Sequence, residues 1–248
     1  MGKNAASRLS RVYTRQPLRS ADSVELAGPA SHYLTRVLRL SKGDSVSLFN
    51  GDGRDYLGEI YEIQRQRLLV RINRSEANGN ESSLKITLVQ AISRGERMDY
   101  SLQKATELGV FCIQPVTSRR VEVRLDKNRQ AKRLAHWQGV VVSACEQSGR
   151  AVVPEVKAPL SLSEWLAVAE TAQRLVLDPV AETGMSSLPI SGNEVSILVG
   201  PEGGFTSKEL DDVRVMGVTA VSLGPRVLRT ETAGPTAIAV LQAAVGDL

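Results

Sequence analysis

The sequence predicts an α/β protein with two domains, a small β-barrel or curled sheet followed by a larger domain built on a parallel sheet. Short apolar strands separated by turns fill residues 45–72, whereas strands alternate with amphipathic helices in the later part of the chain. Between the two regions, residues 73–83 are polar, contain Gly and Asn and lack periodicity, as is typical of a linker. We therefore assign residues 1–74 to the first domain, 75–83 to the linker and 84–248 to the second domain.

The first domain is predicted from three strands joined by short turns. These are the segments VSLFN, DYLGEIYEI and RLLVRI, and the turn Gly51–Gly53 separates the first two. Their β-branched and aromatic residues are typical of strands. Strands that follow each other so closely favour a small barrel or a curled sheet.

The second domain alternates strands with helices. Its predicted strands are LKITLVQA, VFCIQPV, RLVLD, VSILVG and AVSL. In the helix after the first of these strands, four apolar residues share one face: Met98, Leu102, Ala105 and Leu108. Later helices are predicted over Asn128–Cys145 and after Pro235. This alternation predicts a parallel sheet covered by helices on both faces.

Two short motifs mark the starts of further helices. Ser161 with Glu164, and Thr206 with Glu209, have the spacing of a capping box. In that motif the side chain of each residue bonds the backbone N–H of the other. We expect a helix to begin at each motif.

The overall composition excludes several classes of protein. The 248 residues are 42% hydrophobic and 23% charged, which is not the composition of a disordered, collagen-like or coiled-coil chain. No apolar run approaches the roughly 18 residues of a membrane helix. The N-terminal MGKNAASRLSRVYTR also lacks the apolar core of a secretion signal. We expect a cytoplasmic protein that contacts no membrane.

Positive charge is concentrated near the N-terminus. Residues 1–74 hold 13 Lys+Arg and 7 Asp+Glu, whereas the later residues hold 18 and 20. Of the 31 cationic residues, 23 are Arg, whose planar guanidinium group binds phosphate and stacks on bases. This distribution fits an N-terminal RNA-binding module, and a solvated basic surface explains it equally well.

The chain contains few cysteines and histidines. Two separated cysteines, Cys112 and Cys145, supply neither a disulfide framework nor a zinc site and fit a reducing compartment. Cys145 and His136 are nine residues apart on the predicted long helix, so they lie on opposite sides and roughly 13 Å apart along its axis. They cannot form a catalytic dyad. With only two histidines, triad hydrolysis and His-based zinc catalysis are disfavoured, and we expect no metal cofactor.

Two glycine-rich loops follow strands of the second domain. GPEGGF occupies residues 200–205 and LGPRVLRTETAGP residues 223–235. Ligands of open parallel sheets bind beyond the carboxyl ends of strands, where glycines allow close approach to backbone N–H groups. Neither loop has a dinucleotide or triphosphate motif. Tight turns alone would also explain the glycines, but the second loop carries Arg226, Arg229 and Glu231, and this favours a ligand site.

The segment ACEQSGR, at residues 144–150, is a third polar cluster. It lies where the predicted long helix reaches Gly149. Polar residues at a helix end commonly serve only as caps. A corner that faces substrate is the alternative interpretation.

Four segments of the second domain together resemble one known family. They are RGERMDYSLQKATELGV, ACEQSGR, LVGPEGGF and LGPRVLRTETA. They are similar to the bacterial uracil N3-methyltransferases of 16S ribosomal RNA, which belong to the SPOUT superfamily of trefoil-knotted methyltransferases. In the first domain RVYTRQPL, VLRL and KGDSVSLFNGDG resemble the PUA-like RNA-binding domain of that family. One departure is Tyr33, where the family usually has histidine; His32 lies one position earlier.

The resemblance implies a fold, a cofactor and a set of cofactor contacts. It implies a C-terminal α/β domain with a deep trefoil knot, a PUA-like domain before it, and a homodimer. The implied cofactor is S-adenosyl-L-methionine, bound in the loops of the knot. Matching these loops residue by residue assigns its contacts to Leu198, Gly200, Gly203, Leu223, Gly224, Val227 and Leu228.

The resemblance also implies the reaction, methylation of N3 of one uridine in the decoding region of the small ribosomal subunit. The N3 proton must leave before the nitrogen becomes a good nucleophile, and the resulting charge spreads to the ring carbonyl oxygens. We hypothesise that Glu231 is the base or orients the substrate, and that Arg229 stabilises the anionic ring. An Arg229–Glu231 ion pair that only shapes the loop is the alternative.

For the RNA itself we predict contacts from Arg11, Arg15 and Arg39. Two other functions remain open at this point. The chain could be a SPOUT enzyme that methylates a ribose 2′-hydroxyl, or a non-catalytic RNA-binding assembly factor.

Overall fold

The computed structural model describes residues 9–120, 127–168 and 173–248. The chain divides into two compact units. The first contains the described residues up to Glu81 together with Cys145–Val153, and the second contains Ser82–Ala144 and Pro154–Leu248. The first unit is therefore discontinuous in sequence, a feature that the domain boundaries drawn from the sequence did not include.

The first unit is built around a five-stranded sheet with the order β1-β3-β4-β5-β2. Its elements are β1 (Ser10–Tyr13), β2 (Ser23–Ala27), α1 (Gly28–His32), β3 (Ser45–Phe49), β4 (Arg54–Ile63) and β5 (Arg67–Ala77), with a π-helical turn over Tyr33–Val37 after α1. Strands β1 and β3 pair in parallel, and the other neighbours pair antiparallel. This sheet is the small β structure that the sequence predicts.

Two irregularities bend the long β4–β5 pair. The register shifts between Leu57 and Gly58 and again between Ile60 and Glu62, and such bulges increase local twist. A Cβ at Gly58 would lie 2.6 Å from the carbonyl oxygen of Arg71, so only glycine fits at the first bulge. Strand β5 also extends to Ala77, past the predicted start of the linker, because its last residues pair with the start of β4.

The second unit is built around a sheet in which every pairing is parallel. Its order is β12-β10-β11-β6-β7-β8, and β9 pairs with β7. The strands are β6 (Lys85–Ala91), β7 (Cys112–Thr117), β8 (Glu155–Val156), β9 (Leu160–Ser161), β10 (Gln173–Leu177), β11 (Glu194–Val199) and β12 (Thr219–Val221). The helices are α2 (Glu96–Glu107), α3 (Lys127–Ser148), α4 (Leu162–Val168), α5 (Ser207–Val215) and α6 (Thr230–Val245), and a short 3₁₀ turn spans Met185–Ser187.

Helices cover both faces of the parallel sheet. On one face α6 contacts β6, β11 and α2. On the other, Val89 and Leu198 belong to a buried cluster that includes Trp165 of α4 and Val213 of α5. The predicted parallel sheet with two covered faces is thereby confirmed, while the knot stays a prediction. Among the helices of the described residues, none combines the length and apolar character needed to span a membrane.

The predicted start of the last helix was wrong. Helix α6 begins at Thr230 and contains Pro235 in its second turn. A proline there removes one backbone hydrogen bond, yet the turn before it is helical and includes the buried Thr230 and Gly234. The consequence for function is that Glu231 lies in the first helical turn, where the helix dipole favours negative charge.

Both predicted capping boxes are confirmed. Ser161 and Glu164 exchange hydrogen bonds between side chain and backbone N–H, at 2.7 and 3.2 Å. Thr206 and Glu209 do the same at the start of α5. Glu209 additionally accepts a hydrogen bond from the backbone N–H of Arg119 at 2.7 Å. This carboxylate therefore joins α5 to the chain after β7.

Replacing Glu209 by Gln is expected to destabilise the fold by about 1 kcal/mol at neutral pH. Burial raises the pKa of Glu209, but hydrogen bonds from the backbone N–H groups of Arg119 and Thr206 lower it by more, and the net pKa lies below its ordinary value. The stabilisation is complete above about pH 5 and disappears as the pH falls through the lowered pKa. Urea unfolding at several pH values measures it, with exposed Glu182→Gln as the control. A loss that does not shrink in acid would contradict this origin.

Candidate active site

A cavity of about 470 Å³ lies at the carboxyl ends of three neighbouring strands, β10, β11 and β12. It is lined by residues at or just after the end of each strand, namely 177–179, 199–202 and most of 223–231. This is the end of a parallel sheet at which ligands bind. The two glycine-rich loops singled out in the sequence form a large part of its wall.

The first loop is held in place by Phe205. A Cβ at Gly200 would lie 3.2 Å from the ring atom Cε2 of Phe205, so a larger residue would displace the ring. The N–H of Gly204 donates to the carbonyl oxygen of Pro201 at 2.8 Å, and Gly204 has a φ of +66°. Glycine is thus required at position 200 for close packing and at position 204 for a tight turn.

The second loop combines apolar side chains with a helix start. Gly224 has a φ of +90°, and Leu223, Val227 and Leu228 line the cavity. Val227 is 78% exposed and so lies at the open edge of the cavity. The carbonyl oxygen of Arg229 accepts hydrogen bonds from the first turn of α6.

Most of the residues assigned to the cofactor lie at this cavity. Five of the seven line it: Gly200, Leu223, Gly224, Val227 and Leu228. Leu198 is instead fully buried in the core. Gly203 is absent from the lining, and its carbonyl oxygen accepts a hydrogen bond from the Arg120 guanidinium group at 2.6 Å.

Both candidate catalytic residues, Arg229 and Glu231, line the same cavity. Arg229 is exposed and Glu231 is half-buried. In the described part of the chain no ion pair joins them. This argues against the alternative in which the two charges merely hold the loop together.

Sequence reasoning missed three charged residues of the cavity wall. Arg97 and Glu202 form an ion pair of 3.1 Å; burial raises the pKa of Glu202, but its own backbone N–H and Arg97 lower it by more. Asp178 is 5% exposed and lies 3.2 Å from Arg214. Asp178 directly follows β10, so its position at a carboxyl strand end was a usable signal. No sequence pattern indicated that Arg97 pairs with Glu202.

All but the first residue of the ACEQSGR segment belong to the first unit. Glu146 accepts a hydrogen bond from the backbone N–H of Tyr13 at 3.0 Å. The carbonyl oxygen of Gly149 accepts from Asn78 at 3.0 Å, and Arg150 lies 2.6 Å from Glu81. These contacts favour the structural interpretation of the segment over the corner that faces substrate.

The three arginines assigned to RNA have different environments. Arg11 is 10% exposed, lies 2.6 Å from Asp55 and donates to the carbonyl oxygen of Arg150 at 2.9 Å. Its guanidinium group also stacks over Phe49 at 4.9 Å. Arg15 and Arg39 are exposed. Arg11 is therefore held within the first unit by its contacts with the protein, whereas Arg15 and Arg39 are exposed to solvent.

The first unit also contains a basic groove that was not predicted from the sequence. It has a volume of about 410 Å³ and its lining includes His32, Arg36, Arg65 and Arg67. Arg67 pairs with Glu25 at 3.1 Å. Arg36 and Arg65 have no acidic partner among the described residues.

Comparison with known proteins identifies the family. Residues 80–242 match the RNA methyltransferase domain family, and residues 26–73 match the RNA methyltransferase PUA domain. The ribosomal RNA small subunit methyltransferase E of Buchnera aphidicola (subsp. Schizaphis graminum) is 36% identical over 242 residues, which cover 97% of this chain and 98% of that protein. The chain belongs to the ribosomal RNA small subunit methyltransferase E family. The family resemblance seen in the sequence motifs is thereby confirmed.

Solved structures agree with this family membership. A methyltransferase from Legionella pneumophila in complex with the cofactor SAM is 39% identical, with a TM-score of 0.94 over 97% of this chain and 100% of that one. The methyltransferase E of Neisseria gonorrhoeae, bound to S-adenosyl methionine, is 38% identical, with a TM-score of 0.91 over the same shares. The predicted PUA-like domain followed by a parallel-sheet α/β domain is confirmed as the architecture of this family member.

Proposed function

We propose that this protein transfers a methyl group from S-adenosyl-L-methionine to N3 of one uridine in the decoding region of 16S ribosomal RNA. It acts on the small ribosomal subunit, in the cytoplasm and as a homodimer. One observation carries the proposal: the cavity flanked by the two glycine-rich loops also holds Arg229 and Glu231. The names and the bound cofactor of its relatives support it.

The cavity fits the proposed cofactor. Its volume of about 470 Å³ is within the range of roughly 300–1000 Å³ for small-molecule sites. Leu223 and Leu228 offer apolar cover for an aromatic ring. Charged side chains of both signs, among them Arg97 and Asp178, suit the carboxylate and the amino group of a methionine. S-adenosyl-L-methionine supplies an electrophilic methyl group.

The residues of the chain then have two tasks. The cavity wall aligns the uracil nitrogen with the methyl group, and such alignment accounts for several kcal/mol of a typical barrier reduction. Glu231 accepts the N3 proton or orients the ring, while the guanidinium group of Arg229 stabilises the negative charge on the ring oxygens. A ribose hydroxyl would also have to lose a proton, but it forms no anionic ring, so a cation that lines the cavity, Arg229, favours uracil as the acceptor.

The proposed RNA surface consists of Arg15 and Arg39, together with Arg36 and Arg65 of the basic groove. Each true phosphate contact replaced by Ala should lower the slope of log binding constant against log salt by about 0.7–0.9. RNA binding measured between low and moderate salt tests each variant, with exposed Lys208→Ala of α5 as the control. Unchanged slopes in all four arginine variants would place the RNA elsewhere.

The decisive experiment identifies the product. The purified protein is incubated with isotope-labelled S-adenosyl-L-methionine and with small subunits from cells that lack the modification, and the labelled nucleoside is identified by mass spectrometry. We expect 3-methyluridine at a single site. A label on a ribose oxygen would overturn the proposed chemistry and retain the cofactor, and absence of cofactor binding would favour a non-catalytic RNA-binding factor.

A further inference from the structure

A buried amide connects the two loops of the cavity. Gln90, near the end of β6, has no exposed surface and does not line the cavity. Its Nε2 donates hydrogen bonds to Thr230 Oγ1 at 3.0 Å and to the carbonyl oxygen of Ala91 at 3.1 Å. The amide therefore reaches from the central sheet to the first residue of α6.

Thr230 extends this connection to the other loop. Its hydroxyl group donates to the carbonyl oxygen of Gly200 at 2.6 Å. A hydroxyl has one proton, so Thr230 accepts from Gln90 and donates to Gly200. The chain of hydrogen bonds from Gln90 through Thr230 to Gly200, here called the relay, joins β6, the start of α6 and the loop after β11.

Helix α6 packs closely against β6, the strand that carries Gln90. A Cβ at Gly234 would lie 3.2 Å from Leu88 Cδ1 and 3.3 Å from Gln90 Oε1, so glycine allows the helix to approach the strand. Gln90 Oε1 itself has no hydrogen-bond partner among the described residues. Burying such a group costs free energy that an apolar side chain of similar size would avoid. Stability alone thus does not account for glutamine at this position.

We propose that Gln90 is a positioning residue, which acts through Thr230 to hold the Gly200 loop against the start of α6 in the arrangement that binds S-adenosyl-L-methionine. The inference rests on the proposed function, because it assumes that this cavity is the cofactor site. Thr230 and Gly200 line the cavity and Gln90 does not, so the effect of Gln90 on the ligand is indirect.

The test compares Gln90→Leu, Thr230→Val and the conservative Thr230→Ser. Calorimetric titration with S-adenosyl-L-methionine should show about 10- to 100-fold weaker binding for the first two variants, because the Gly200 loop must then be ordered at the expense of binding free energy. Thr230→Ser keeps the hydroxyl group and should restore affinity to within about threefold of wild type. Because Gln90→Leu removes an unpaired buried oxygen, its unfolding midpoint should not fall although its binding does.

Hydrogen exchange of the ligand-free protein provides a second measurement that does not depend on the cofactor. Amides of residues 200–205 and 229–233 should exchange at least about tenfold faster in Gln90→Leu and Thr230→Val, whereas amides of β7 should be unchanged. Wild-type affinity in Gln90→Leu would overturn the inference, and so would a wild-type exchange rate of these amides. So would a Thr230→Ser variant that binds as weakly as Thr230→Val.

The two proposals fail in distinguishable ways. If the wild-type protein does not bind S-adenosyl-L-methionine, the proposed function fails. The exchange rates of the ligand-free variants still decide whether the relay holds the loop. If the wild-type protein binds and Gln90→Leu binds equally well, only the inference on Gln90 is lost.

Discussion

Replacing Glu231 by Gln is expected to slow single-turnover methylation by about 10²- to 10⁴-fold at neutral pH, the usual contribution of a general base. Glutamine preserves the size of the side chain and its capacity to orient a ring through hydrogen bonds, but it cannot take up the N3 proton. Glu231 lies in the first turn of α6 and lines the cavity, so the substitution changes charge without removing a core contact.

Single-turnover rates across a range of pH, with the cofactor in excess, measure this effect. Glu182→Gln, an exposed residue outside the cavity lining, is the matched control and should react at the wild-type rate. If Glu231→Gln keeps its full rate at every pH, Glu231 is not the base. If the rate of Glu231→Gln is low at neutral pH and recovers at alkaline pH, proton removal is the task of Glu231, because hydroxide then replaces the missing base.

Replacing Arg11 by Met is expected to destabilise the first unit by about 3–5 kcal/mol. Arg11 and Asp55 are 10% and 12% exposed and lie 2.6 Å apart. Without the guanidinium group, Asp55 keeps a hydrogen bond from Asn78 at 2.6 Å but loses its only counterion in the described residues. Methionine retains much of the apolar stem, so most of the expected loss comes from the unpaired charge.

Equilibrium unfolding in urea measures the loss, and exposed Arg15→Met is the control. A second substitution, Asp55→Asn, should recover part of the stability in the Arg11→Met background, because a neutral amide needs no counterion. If the free energy of unfolding falls by less than about 1 kcal/mol, the Arg11–Asp55 pair contributes no more to stability than a surface ion pair does. In that case weaker RNA binding by Arg11→Met would restore its predicted contact with RNA.

Features encoded locally were predictable from the sequence. The capping boxes at Ser161 and Thr206 need only a spacing of three residues, and both are present. The parallel sheet followed from the alternation of strands and helices, and the cavity from two glycine-rich loops at strand ends. Family resemblance then selected five lining residues of the cavity from within these two loops.

Features that depend on distant contacts were not predictable. Helix α6 starts at Thr230, five residues before Pro235, and Thr230 and Gly234 are buried against distant parts of the chain. The Arg97–Glu202 pair joins residues 105 positions apart. Arg11 was predicted to contact RNA because nothing nearby in the sequence indicates that it pairs with Asp55. Burial of a charged residue is decided by the fold, and single-residue chemistry does not encode it.

The discontinuity of the first unit has a consequence for synthesis of the chain on the ribosome. Asn78, Glu81 and Tyr13 bond to groups in the segment Cys145–Val153. These partners are translated only after β6 and β7 of the second unit, and before its other strands. The first unit can therefore complete its structure only after part of the second unit has been made, and a fragment ending at Glu81 would lack the contacts of Cys145–Val153. Exchange of this unit between proteins by recombination would need two further cuts in the gene, one on each side of the codons for Cys145–Val153.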